Sequence, residues 1–174
     1  HSTPDVPPFG TGQGTVRWGE VVAHTRGSQS GLVCLTGGVR DLSVERLARL
    51  AELFGKENVF LEVERHHIRD EELANERTLA LARKSRFPVV ATGDVRYASP
   101  ARARLCDVLT CIKEHVPLDR AGSKLFKNMG RHLRGADEMA RLFADLPSAV
   151  EHTELVAERC AFTLEDLGYR FPDY

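Results

Sequence analysis

Between residues 31 and 112, an apolar run of strand length is followed three times by an amphipathic stretch of helix length. That alternation leaves few folds open. Residues 31–36 read Gly-Leu-Val-Cys-Leu-Thr and stop at Gly37-Gly38. Residues 58–64 read Asn-Val-Phe-Leu-Glu-Val-Glu, with Val59, Leu61 and Val63 on one face and Phe60, Glu62 and Glu64 on the other. Residues 88–92, Pro-Val-Val-Ala-Thr, form the third run. Strands this uniformly apolar belong to parallel sheets covered by helices, so an α/β fold with right-handed crossovers is expected.

The helix signals fit between these runs. Ser43 is placed to cap a helix whose Val44, Leu47, Leu50, Ala51 and Phe54 share a face, and Gly55 is placed to end it. Asp70 is expected to cap a second helix, through Arg86, with Leu73, Leu79, Leu81 and Ala82 apolar. Ser99-Pro100 is a cap followed by an N1 proline, opening a third helix through Leu105, Val108, Leu109 and Ile112. Residues 15–114 are thus the βα-repeat part. Residues 115–134 read as a basic loop, and 135–174 as a helical segment with starts at Asp137 and Pro147 and with Val150, Leu155 and Val156 inward. Residues 1–14, with three prolines and three glycines, have the composition of a linker or tag remnant, disordered or extended.

Bulk properties exclude several classes. Charged residues are 28% of the chain and the formal net charge is -1, so it is not a nucleic-acid-coating protein. No apolar run approaches the roughly 20 residues that span a bilayer, so no membrane association is expected. No signal peptide is expected either. Cys34, Cys106, Cys111 and Cys160 are scattered without a CxxC pair, which argues against a disulfide framework or zinc knuckle and for a reduced, cytoplasmic setting. The aromatic ending, Phe-Pro-Asp-Tyr, suggests a piece of a longer protein.

Parallel sheets bind ligands at the C-terminal ends of their strands. Three places matter there: Gly37-Gly38, residues 64–67, and Asp94. With strands about 4.8 Å apart, His66 and Asp94 can face one ion, and imidazole with carboxylate suits Zn, Mn or Fe. The competing reading is a loop-capping Asp and a solvated His. Two ligands fall short of the three that a catalytic metal ordinarily takes from the protein. Arg96 stands where an Asp-x-His would place a second ligand, and a guanidinium keeps its proton. Glu62 and Glu64 are either paired carboxylates for acid–base work or salt-bridge partners of Arg65, Arg69 or a lysine, the latter favoured. Arg120, Lys124, Lys127, Arg131 and Arg134 are nucleic-acid contact candidates, weighed against a plain solvated loop with only Phe126 to stack on. No Walker loop or GxSxG elbow is present, and the alternate glycines of residues 10–14 follow no strand. His24, His115, His132 and His152 read as structural or surface residues.

Several segments together carry a family resemblance. Residues 31–38 (Gly-Leu-Val-Cys-Leu-Thr-Gly-Gly), 60–66 (Phe-Leu-Glu-Val-Glu-Arg-His) and 89–97 (Val-Val-Ala-Thr-Gly-Asp-Val-Arg-Tyr) resemble the later motifs of the PHP (polymerase and histidinol phosphatase) domain of bacterial DnaE-type DNA polymerase III alpha subunits. Residues 107–112 and 142–147 resemble the segment that follows, and residues 164–174 resemble the error-prone, ImuC-like branch. The resemblance covers about residues 15–174. It implies the C-terminal part of a distorted (βα)7 barrel, with His66 matching a ligand histidine and Asp94 with Arg96 matching an Asp-x-His that has lost its histidine. Gly38 stands where some members have a cysteine. The family's first His-x-His is absent from this chain, and the polymerase's catalytic aspartates lie downstream of Tyr174.

The resemblance therefore implies a fragment of an error-prone DNA polymerase acting in translesion synthesis and repair. The fragment itself is expected to be structural, with no catalytic residues, no cofactor, and a vestigial metal site at His66 and Asp94 that retains Zn or Mn at most. Magnesium would serve the parent polymerase, whose partners are DNA and its remaining domains. The alternatives are a metal-dependent phosphoesterase or 3′–5′ exonuclease, and a protein-docking or DNA-contacting module. A partial barrel leaves strand edges open, so either a homodimer or an edge covered by the N-terminal segment is expected.

Overall fold

The computed structural model describes residues 18–24, 31–37 and 42–161. The linker expected at residues 1–14, the Gly38 position, an N-terminal segment over the sheet edge and the tail at 164–174 lie outside the described residues. The elements in order are α1 (Trp18–His24), β1 (Cys34–Leu35), α2 (Val44–Phe54), β2 (Val59–Glu64), α3 (Arg69–Ser85), β3 (Val89–Thr92), α4 (Ala103–Lys113), α5 (Ala136–Leu142) and α6 (Pro147–Arg159). The strands form one parallel sheet in the order β1-β2-β3, with Cys34 opposite Val59 and Leu61 opposite Val89. The α/β reading and the parallel pairing hold.

β2 is the central strand. Val59, Phe60 and Leu61 are fully buried and Val63 nearly so. One core gathers Leu47 of α2 and Ala82 of α3 on Val59 and Leu61. A second joins Val63 and Ala91 to Phe143 and Ala149. Burying each of the valine, leucine and phenylalanine side chains contributes about 1.5–3 kcal/mol. α6 lies against β3, where His152 Nδ1 sits 2.6 Å from the Val89 carbonyl and its ring meets Phe60 edge-on at 6.1 Å. His132 Nε2 lies 3.2 Å from Glu138 Oε1.

Local signals worked where side chains close the backbone. Ser43 Oγ accepts from the Arg46 N–H at 3.2 Å, and Gly55 ends α2 at φ 83°, a backbone that side chains resist. Other expectations need correction. β1 has two residues instead of six; among the described residues it has a neighbour on one side only, and Leu32 and Leu35 remain exposed. Beyond it, a hydroxyl continues the pairing: the Glu62 N–H donates to Thr36 Oγ1 at 3.1 Å. Asp70 does not cap α3. Ile68 holds the N-cap position, and Asp70 lies in the first turn with Glu71 and Glu72, where carboxylates oppose the positive end of the helix dipole. Leu155 is exposed, and the side chain α6 buries is Ala149. In α4 the buried residues are Ala103 and Cys111, while Leu105, Val108, Leu109 and Ile112 face outward. No helix among the described residues is long and apolar enough to cross a membrane.

Candidate functional site at the strand ends

β2 and β3 deliver their polar residues to one end of the sheet. Glu64 and Thr92 are register partners, and Thr92 Oγ1 donates to Glu62 Oε1 at 2.6 Å. Asn75 of α3 completes the end of β2: its Nδ2 donates to the Glu64 carbonyl at 2.6 Å, and the Glu64 N–H donates to its Oδ1 at 3.4 Å. Two residues on, His66 is fully buried. Its Nδ1 sits 2.6 Å from Glu71 Oε1 and its Nε2 lies 2.8 Å from the Gly93 carbonyl, while its backbone N–H donates to Glu71 Oε2. Both ring nitrogens therefore face oxygens already. The adjoining turns take left-handed backbone at His67 (φ 57°) and Asp94 (φ 36°), residue types among those that tolerate it best.

The segment after α4 crosses this end. Asn128 Nδ2 donates to the His66 carbonyl at 2.6 Å, and its Oδ1 accepts from the Gly130 N–H at 2.9 Å. A Cβ on Gly130 would meet that Oδ1 at 2.8 Å, so a larger residue there would have to displace the Asn128 amide. The Arg96 N–H donates to the Arg131 carbonyl at 2.8 Å, the Leu133 N–H to the Tyr97 carbonyl at 3.0 Å, and the Arg131 N–H to the Tyr97 hydroxyl at 3.3 Å. Thus held, Arg131 puts its guanidinium among three acids. Nη1 donates to Asp94 Oδ2 and lies 3.7 Å from Glu64 Oε2, and Nη2 lies 3.8 Å from Glu71 Oε1. Arg96 closes the outer side of Asp94 at 2.6 Å. The Phe126 ring covers the Arg131 guanidinium at 4.7 Å. Burial pushes the Glu64 carboxyl up, helped by Asp94 and Glu62 and opposed by Arg131.

Residues from the sequence reading fall into place unevenly. His66 and Asp94 arrive at the same end of the sheet, with His66 bonded to the peptide oxygen next to Asp94. Arg131, read as a nucleic-acid contact, turns inward. Lys124 pairs with Glu114 at 2.6 Å, Lys127 with Asp70 at 3.5 Å and Arg134 with Glu138 at 3.1 Å, while Arg120 is exposed. The acids that neutralise this loop come from elsewhere in the chain. Arg134 is 5% exposed, and its Nη1 is the one buried side-chain nitrogen among the described residues without a hydrogen-bond partner. The partners expected for Glu62 and Glu64 are corrected to Thr92 and Arg131. Arg65 instead forms a two-pronged pair with Asp145 at 2.5 and 2.8 Å, which holds the Asp145 carboxyl below its ordinary range. Glu71 and Asn75 were missed, although they lie one helical turn apart directly after the strand end. That spacing was the available signal.

Ligand atoms of Glu64, His66 and Glu71 lie within 4.8 Å of one another, a spacing that a divalent ion can use. The arrangement does not fit one. His66 has no ring nitrogen free, and a cation from the chain already stands between Glu64, Glu71 and Asp94.

Fold and site define an α/β unit with a short parallel sheet and a polar cluster at its strand ends, neutralised from within. No protein-family model matches the chain. Its relatives are proteins named error-prone DNA polymerase. That of Rhodopseudomonas palustris is 39% identical over 132 residues, 76% of this chain and 11% of the relative. That of Caulobacter vibrioides is 36% identical over 163 residues, 93% of this chain and 15% of the relative. Error-prone DNA polymerase 1 of Rhizobium meliloti is 46% identical over 94 residues, 54% of this chain and 8% of the relative. The chain matches a part of such polymerases, spanning 8% to 15% of their length.

Proposed function

We propose that this chain is the C-terminal part of the PHP region of an error-prone DNA polymerase and serves that enzyme as a structural unit. The observation that carries the proposal is the match to error-prone polymerases over most of the chain, 93% in one case. The site's chemistry supports the structural role, because an inward guanidinium and a fully bonded histidine leave nothing to activate water. In this reading the sheet continues into a barrel with segments of the longer protein. Template-directed nucleotidyl transfer, with magnesium, takes place in other segments of that protein, during translesion synthesis in the cytoplasm. DNA and the remaining polymerase domains are its partners.

The competing reading, a metal-dependent phosphoesterase or 3′–5′ exonuclease, draws on the close spacing of Glu64, His66 and Glu71. One experiment separates them. The chain is incubated with a 5′-labelled single-stranded oligonucleotide and Mg2+, Mn2+ or Zn2+. We expect intact oligonucleotide with every ion. Shortening that disappears in Asp94→Ala would overturn the structural role.

A further inference from the structure

We propose that Arg131 is the resident cation of the strand-end site: its guanidinium permanently occupies the position between Glu64, Glu71 and Asp94, and its removal exposes a latent site for a hard divalent cation. The inference deepens the structural reading above and rests on it.

The first argument is charge. Glu62, Glu64, Glu71 and Asp94 converge on one cleft of about 290 Å3 and its rim, and the Glu64 side chain is 16% exposed. Carboxylates this close in a partly dry site need a cation. Arg131 is 13% exposed at its side chain and touches three of the four. A planar fork of N–H donors that never loses its proton can satisfy several carboxylates together, which a lysine cannot do as well. Arg96, 52% exposed and paired with Asp94 alone, is an outer partner.

The second argument is position. Arg131 is no flexible surface arginine. Its peptide N–H and carbonyl are both hydrogen-bonded to the segment after β3, through Tyr97 and Arg96. Gly130 before it is fixed by Asn128, which also grips His66. Phe126 covers one face of the guanidinium. Backbone and ring together aim the charge at one place, as ligands aim at an ion.

The third argument is donor chemistry. Without the guanidinium, three carboxylates from three elements remain, oxygen donors that suit Mn2+ or Mg2+ better than soft metals. His66 stays bonded to Glu71 and Gly93 and need not take part.

The test is calorimetric titration of Mn2+ into the chain and into Arg131→Met, which keeps most of the stem and removes the charge. The wild-type chain is expected to show no saturable binding. Arg131→Met is expected to bind one Mn2+ saturably, at least about tenfold more tightly than the weakest binding the titration would detect in the wild-type chain, and to gain thermal stability as Mn2+ is added. Arg131→Lys, which retains a charge, is expected to stay closed to Mn2+. If Arg131→Met does not fold alone, its refolding with Mn2+ or with about 10 mM guanidinium ion present is the readout, since a ligand of the native state drives folding. Stoichiometric Mn2+ on the wild-type chain would overturn the inference. So would an Arg131→Met chain that neither cation binds or rescues. Either failure leaves the match to error-prone polymerases standing, whereas nuclease activity would remove the structural reading itself.

Discussion

Asn75 is a small residue with a large job. It is buried, and its amide satisfies both the N–H and the carbonyl of Glu64 where β2 leaves the sheet. Asn75→Ala leaves two backbone groups short of partners at about 1–3 kcal/mol each. We expect the unfolding free energy from urea titration to fall by at least that order, with the helical circular dichroism retained. Titration of two acids gives stability opposite slopes. The Asp145 carboxyl is held down by Arg65, so the stability it contributes is present above about pH 3.9 and is lost as pH falls through its lowered value. The Glu64 carboxyl is pushed up, so the folded state holds its proton longer and stability declines as pH rises above about 4.3. Urea midpoints measured from pH 3 to 7 in Asp145→Asn and Glu64→Gln should each lose one of these slopes. His66 and Asp94 were legible in the sequence because strand ends in parallel sheets concentrate chemistry. Arg131 was visible as a cation but not as an inward one, since 37 residues separate it from Asp94 and no periodicity connects them.

Helices and strands were legible to the extent that their own residues close them. Ser43 and Gly55 bracket α2 by local hydrogen bonds and backbone freedom, so the sequence suffices. α3 starts otherwise: Glu71 reaches back to the His66 N–H, a contact that Asp70 mimics in sequence alone. α4 shows the limit of periodicity. Leu105, Val108, Leu109 and Ile112 have the spacing of a buried stripe, yet they are 46–64% exposed. Spacing indicates that a face is apolar, and only the neighbouring elements decide what covers it. The two kinds of leucine should therefore respond differently. Leu47→Ala, at a fully buried position, is expected to cost about 2–5 kcal/mol in denaturant unfolding. Leu109→Glu is expected to stay within about 0.5 kcal/mol of the parent and to reduce binding of a hydrophobic dye such as ANS.

The molecule as a whole is near neutral, with a formal net charge of -1, and its basic loop is laced to acids from α3, the residue that follows α4, and α5. DNA affinity depends on cations free to release counterions from phosphates. Fluorescence anisotropy with a labelled single strand at about 150 mM salt should accordingly show no saturation by this chain alone. Saturable binding weakened by Lys124→Ala with Lys127→Ala would show that phosphates displace Glu114 and Asp70. The long reach of Arg131 has a kinetic consequence as well. Its partners Glu64 and Asp94 precede it by 67 and 37 positions, so closing that contact costs chain entropy that local helices avoid. Early in folding the assembled sheet presents an anionic mouth countered by Arg96 at Asp94 but still without Arg131 beside Glu64 and Glu71. Dissolved salt then supplies the screening that Arg131 later gives Glu64 and Glu71, and stopped-flow refolding should speed up between low and moderate ionic strength, an acceleration that Glu64→Gln would diminish.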